Sequence, residues 1–337
     1  MTKHSALRGF TQPHHVEGRA SIADLFRSGK RCGIYVLHFA NGEYYVGQAT
    51  DVTRRFVQHC RNHCDIRQIS FKRVRKNKSA LDVEESAVIR LLEADGCRLR
   101  NIQLASMPYG ETDFDLIMPP QDQERWLNDL DFQDLAGDRV VNPDLRRRYS
   151  KRFALYEQLP FAAEVTQVLR EYVRASVPGV RRGEVSFWAC SCLPQSLPGE
   201  PGIIYSRINV GWQTAFQATA FDGEKEMDYS WYLTKPLLEE AWGEPLPAFE
   251  GESVEGIILS GFEESPDLEV FVTSSPLKAG GQDQVFVSVA GWNNAMVLTG
   301  IPYFLTAVRK FNRSLMKKGP CSSGRYHCMD LADRLID

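Results

Sequence analysis

Two glycine–tyrosine triplets joined by a turn constrain this chain most: Gly33-Ile34-Tyr35 and Tyr45-Val46-Gly47, with Asn41-Gly42 between them. Ile34, Val36 and Phe39 make a short apolar run that reads as a strand. Asn-Gly is the strongest short hairpin signal, because both central residues of a type I′ turn need positive φ. Tyr44 to Gly47 then returns antiparallel, so Tyr35 and Tyr45 lie on adjacent strands and can converge on one substrate. Asp51 or Thr53 caps the helix expected next. Arg55 and His59 are four apart on that helix and share a face.

A second helix is expected from about Ser79 to Ala94, with Leu81, Val88, Ile89 and Leu92 as its apolar stripe. At ~100° per residue, Glu85 lies about 40° from the centre of that stripe and Glu84 about 60° on the other side. A carboxylate on the buried side of a helix is costly without a partner, and a metal ion is one such partner. Each piece alone has an ordinary reading: tyrosines are common in strands, and a glutamate at a stripe edge is usually solvated. The ordered set is what carries information.

These residues supply what cleavage of a phosphodiester needs: an activated water, neutralisation of the phosphorane and stabilisation of the leaving oxygen. One divalent ion on Glu85 would serve the last two by Lewis acidity. A single carboxylate with waters and a phosphate oxygen suits Mg²⁺, or Mn²⁺ in its place. Arg55 offers a planar fork that matches phosphate geometry. Tyr35 reads as the general base, although a phenol of pKa about 10 needs a neighbour to take its proton onward. His59 is the relay candidate, with Tyr45 as a second phenol that orients water or phosphate.

With those residues in hand, the chain resembles the GIY-YIG nuclease family over roughly residues 31–103. The second triplet reads Tyr-Val-Gly, and the spacing from it to Arg55 and His59 is that of the family. The resemblance implies a small three-stranded antiparallel sheet with flanking helices. It implies Tyr35 as base, Arg55 on phosphate, Glu85 on the metal and Asn101 as the terminal asparagine of the motif. Glu84 beside Glu85 leaves a one-residue ambiguity.

Charge is informative only when divided. The net charge of −3 does not suggest a nucleic-acid binder, yet Arg54 to Lys78 holds nine Lys or Arg against one acid, Asp65. Arg54, Arg67, Lys72, Arg73, Arg75, Lys76 and Lys78 are the expected phosphate contacts, the alternative being a solvated basic loop. Phe221 to Val270 reverses the balance, with Lys225 and Lys235 its only lysines or arginines, and is not expected on DNA. A second basic cluster, Arg146-Arg147-Arg148 with Lys151-Arg152, could track phosphate backbone or be a solvated helical face.

At 337 residues, two domains are expected. Residues 1–30 read as a polar lead-in with a short helix at Ser21–Ser28, 31–105 as the nuclease-like domain, and 106–160 as linker and helical connector. Residues 161–337 read as a larger β-rich α+β accessory domain, so the whole chain is α+β. Trp126 to Tyr156 and Ala163 to Val177 have helical character, and a closing helix is expected at Tyr303–Met316. Candidate strands are Val185–Cys192, Ile203–Val210, Thr214–Phe221, Gly256–Ser260, Leu268–Thr273 and Val285–Val289. No apolar run reaches the ~18 residues of a membrane span and no signal-peptide core opens the chain, so a cytoplasmic protein with reduced thiols is expected. Cys190, Cys192, Cys321 and Cys328, with His327, could hold a structural zinc, although structural thiols are the commoner outcome.

The function expected is a metal-dependent endonuclease acting on double-stranded DNA, with a C-terminal module that recognises a target, a modification or a partner. A restriction or genome-defence role suits that architecture by analogy alone. Two alternatives stand: an effector subunit activated or targeted by a protein partner, and a nucleic-acid-binding module with a degenerate nuclease head; a protein partner or a homo-oligomer is possible.

Overall fold

The computed structural model describes residues 7–74, 78–100, 112–194, 202–221, 225–246, 256–260, 265–281 and 283–337. The chain is mixed α+β and divides into two compact units, Met1–Tyr109 and Gly110–Asp337.

The first unit is built on a four-stranded antiparallel sheet in the order β1-β4-β2-β3. β1 is His14–His15, β2 Gly33–Phe39, β3 Tyr44–Ala49 and β4 Ile66–Arg73. The three strands that the resemblance implies are present, with the two-residue β1 added at the β4 edge. Helix α1, Val52–Asn62, follows β3, and helix α2, Lys78–Ala94, follows β4. Alternation along β2 divides the core in two. Tyr35, Leu37 and Phe39 pack with Val52 and Phe56 of α1, whereas Ile34 and Val36 pack with Leu81, Val88, Ile89 and Leu92 of α2. Asp51 caps α1 as expected, its carboxylate accepting from the Thr53 backbone N–H at 2.9 Å.

Two expectations for this unit are corrected. The hairpin turn is not type I′: Gly42 has φ 84°, but Asn41 keeps a negative φ. Gly42 N–H bonds the Phe39 carbonyl and Phe39 N–H bonds the Glu43 carbonyl, so the loop is three residues closed by a left-handed glycine. The Asn41 side chain instead accepts from Glu43 N–H at 3.1 Å. The lead-in is part of the unit rather than separate from it. His14 pairs with Ile69, and Val16, Ile22 and Phe26 are buried in the α1-side core. Residues 21–28 form turns, with Leu25 N–H on the Ile22 carbonyl, and no helix.

The second unit holds a seven-stranded antiparallel sheet in the order β5-β6-β7-β8-β11-β10-β9. Helices α3 (Asp113–Ile117), α4 (Pro120–Asn128), α5 (Pro143–Tyr156) and α6 (Ala162–Ser176) precede it. The strands are β5 Trp188–Cys192, β6 Ile203–Val210, β7 Gln213–Ala220, β8 Met227–Thr234, β9 Ile257–Leu259, β10 Val270–Ser274 and β11 Gln284–Ala290. Helix α7, Lys235–Trp242, follows β8; α8 (Trp292–Gly300), α9 (Pro302–Lys317) and α10 (Met329–Ile336) follow β11.

The expected connector, residues 106–160, belongs to this unit over its described part. Phe114, Trp126, Phe153 and Tyr156 are all buried in its core. Arg309 on α9, fully buried, anchors that stretch by donating to the carbonyls of Trp126, Asp129 (2.8 Å), Leu130 (2.9 Å) and Ala175 (2.6 Å). β5 begins at Trp188 rather than Val185, because Val185 sits at φ 68° in a turn. The helix expected to close the chain is followed by α10. No described helix is long and apolar enough to cross a membrane.

Candidate active site

The hairpin brings the two triplets together by register. Tyr35 on β2 lies opposite Gly47 on β3, and Leu37 opposite Tyr45. The Tyr35 ring lies across Gly47: a Cβ at position 47 would sit 2.3 Å from the Tyr35 hydroxyl oxygen. At Gly33 a Cβ would sit 2.1 Å from the Lys72 carbonyl oxygen on β4. Both glycines are therefore required by close approach, one to the Tyr35 phenol and one to the neighbouring strand.

Tyr35 is buried, and its hydroxyl is 2.7 Å from His59 Nε2. The His59 ring, 7 % exposed, also packs on Tyr45 at 4.6 Å between centroids and stacks on His63 at 6.1 Å. Burial pushes the His59 pKa down to about 4, with the charges of Arg55 and His63 adding to the effect. His59 is therefore neutral at pH 7, and one ring nitrogen can accept the Tyr35 hydroxyl proton. Burial raises the pKa of Tyr35, as does neighbouring Tyr45, with Arg55 opposing. Burial likewise raises Tyr45, again with Arg55 opposing. Arg55 itself is exposed, has its own pKa raised chiefly through Tyr35, and donates to Gln58 Oε1 at 2.8 Å.

Glu85 enters from α2. It is 9 % exposed, as its stripe-edge position predicts, and accepts from the Gln48 side-chain amide at 3.0 Å. Its charge reaches both Tyr35 and Tyr45, raising their pKa values. Glu84 points elsewhere, into an ion pair with Lys72 at 2.6 Å. The one-residue ambiguity is thereby narrowed: Glu85, not Glu84, shares an environment with the phenols.

Sequence reasoning did not single out Gln48. Its signal was the period of two along β3, which puts Val46 and Gln48 on the α2 side of the sheet. It also missed a clamp behind the histidines. Arg100 donates to both carboxylate oxygens of Asp65, at 3.0 and 2.6 Å, and to Glu43 at 2.5 Å, while lying 3.7 Å over the Phe39 ring. Asn101 lies outside the described residues.

The expected basic surface is not one patch. Arg67 to Arg73 is strand β4, whose alternation sends Arg67 and Arg73 to one face and Lys72 to the other. Lys72 is neutralised by Glu84, Arg73 donates weakly to the Gly29 carbonyl, and Arg54 is exposed on α1 beside Arg55. Arg75, Lys76 and the Lys78 side chain lie outside the described residues.

No group of three or more His, Cys, Asp or Glu among the described residues is arranged to hold a metal ion. A site of one carboxylate and water ligands, the kind expected at Glu85, does not need such a group. Of the suggested zinc ligands, Cys190 Sγ lies 4.0 Å from His327 Nδ1. Cys192 Sγ and Cys328 Sγ are 3.4 Å apart, but both ring nitrogens of His327 are occupied, one by the Cys190 N–H at 3.2 Å and the other by Glu184 at 3.1 Å. Cys321 is turned to the Asn209 carbonyl at 3.8 Å.

Comparison of the chain with models of known protein families finds no match, and comparisons with curated proteins and with solved structures find none either.

Proposed function

We propose that the first unit is a metal-dependent endonuclease of the GIY-YIG type that hydrolyses phosphodiester bonds in double-stranded DNA. The observation that carries this reading is the 2.7 Å contact between the Tyr35 hydroxyl and a neutral, buried His59, in a cluster that also holds Tyr45, Arg55 and Glu85. A neutral imidazole nitrogen can accept the Tyr35 hydroxyl proton, which is what a phenol that must pass its proton onward needs.

In this reading Tyr35 Oη takes a proton from the attacking water while its own proton passes to His59. Tyr45, stacked on Tyr35 at 6.3 Å between centroids, orients the water or the phosphate. The exposed guanidinium of Arg55 receives the phosphate as a fork. Glu85 fits a divalent ion: it is a mostly buried carboxylate on the α2 side of the sheet, held by Gln48, and its charge reaches both phenols. Magnesium or manganese held there would supply Lewis acidity toward the phosphate and the leaving oxygen. The second unit, separate and larger, is proposed to supply recognition or control, as in a restriction or genome-defence nuclease.

The test is cleavage of supercoiled plasmid, linear duplex, single strands and RNA, with Mg²⁺, Mn²⁺ or chelator, by the full chain and by Tyr35→Phe. Metal-dependent cutting of duplex that Tyr35→Phe abolishes supports the reading. Cutting undiminished by chelator, or a fully active Tyr35→Phe, removes it.

A further inference from the structure

Several cations of the second unit are paired with acids. Arg139 bonds Glu184 and Asp333, Arg182 bonds Asp134, Arg313 bonds Glu124, and Arg334 bonds Glu157. Helix α5 breaks that pattern along one side. Arg146 turns inward and pairs with Asp330 and Asp333 of α10. Arg148, Lys151 and Arg152 are exposed and have no ion pair among the described residues. At ~100° per residue these three and Leu155 fall within an arc of about 100°. Leu155 is 57 % exposed on the same stripe. Arg147 borders the stripe and is held by Asp144.

Folding does not account for this face. Leu145, Phe153 and Tyr156 on the adjoining face of α5 already supply its packing. Like charges four apart, such as Arg148 and Arg152, weaken an isolated helix. Beside the helix, Tyr149 donates to the Arg325 carbonyl at 2.9 Å. That bond holds an exposed Arg325 whose guanidinium lies 4.7 Å over the 46 %-exposed Tyr326 ring. Unpaired guanidinium and ammonium groups in a row complement a polyanion with phosphates along one edge.

We infer that the outer face of α5, through Arg148, Lys151 and Arg152, is a phosphate-backbone contact for nucleic acid in the second unit. It rests on the reading of the chain as a nuclease and gives the second unit a share in holding the substrate. Contacts of this kind position and retain a duplex without reading its sequence.

The experiment uses the full chain, a short fluorescent duplex and chelator, so that binding is read without cleavage. Binding is measured by anisotropy across a salt series for the wild type and for the triple variant Arg148→Gln, Lys151→Gln, Arg152→Gln. Each lost phosphate contact lowers the slope of log K against log salt by about 0.9, so the triple variant should lose up to ~2.7 and bind more than tenfold more weakly at low salt. The charge-keeping variant Arg148→Lys, Lys151→Arg, Arg152→Lys should bind as the wild type does. All three side chains are exposed, and circular dichroism checks that the fold is retained.

A triple variant with wild-type affinity and salt slope overturns the inference while leaving the nuclease reading intact if the chain still cuts duplex. A wild-type chain that neither binds nor cuts overturns both. The same proteins are also run against phosphatidylserine–phosphatidylcholine vesicles. A loss confined to the vesicles would overturn the inference in favour of a membrane surface.

Discussion

Acid should loosen the first unit through His59, and the size of the effect follows from its burial. The folded pKa is about 4 and the unfolded value 6.5. The folded pKa is depressed, so as pH falls below 6.5 the unfolded chain takes up a proton that the folded chain refuses. The stability present above the unfolded pKa is lost progressively until the folded pKa is reached. Linkage for one such group gives a loss of about 2 kcal/mol by pH 5 and about 3 kcal/mol by pH 4, relative to pH 7 or above. Other groups titrate in that window, so the measurement is a difference. Denaturant unfolding is followed at pH 7, 5 and 4 for the wild type and for His59→Gln. Glutamine cannot protonate, so the variant should lose less stability over the range, the gap between the two curves closing by about 2–3 kcal/mol. A variant that follows the wild-type pH dependence, or a His59 ring that titrates near 6.5 by NMR, refutes the reasoning.

Glu85→Gln should abolish cleavage and weaken Mn²⁺ binding measured by calorimetry while sparing DNA binding, whereas Glu84→Gln, which loses only the Lys72 ion pair, should keep the metal and the activity. Tyr35→Phe should lower single-turnover rate with little change in duplex affinity; equal rates would remove the phenol from the chemistry. Gly47→Ala forces a methyl against the Tyr35 hydroxyl, so it should cost about 1–3 kcal/mol in unfolding experiments and lower activity even where the protein stays folded. Arg309→Leu strands several buried carbonyls and should destabilise the second unit by about 3 kcal/mol or more, read as an early unfolding transition with the first unit's transition unmoved.

The site was more legible than the fold around it. Tyr35, Tyr45, His59 and Glu85 were all marked by short-range patterns, a hairpin signal and two helical spacings, and those periodicities survive tertiary context. The lead-in was misjudged because Val16, Ile22 and Phe26 are too widely spaced for either period, so only packing reveals that they are core. β8 was missed although it is the central strand of its sheet. Its Tyr229, Trp231 and Leu233 alternate with Asp228 and Ser230, but they sit inside an acid-rich stretch whose charge drew attention from its pattern. The basic run on β4 misled in the opposite sense: counting charges ignores that a strand divides them between two faces and that Glu84 takes one of them. Partners distant in sequence, such as Arg100 with Glu43 or Arg309 with the carbonyls around α4, leave no local trace at all.

Helix α10 carries a consequence for how the second unit comes into being. It packs against α5, α6 and β5, and Arg146 reaches it across a separation of 187 residues. Closing so long a loop must precede the contacts that reward it, so this unit should fold slowly. While it emerges from a ribosome, the Arg146 side of α5 must wait, unpaired, until Asp330 and Asp333 have been made. The first unit ends at Tyr109 and is a compact unit in its own right, so it can fold during that delay. The residues proposed for chemistry, Tyr35 to Glu85, would then be in place before the unit proposed to direct them. That interval is when undirected cleavage would be most hazardous to the cell making it.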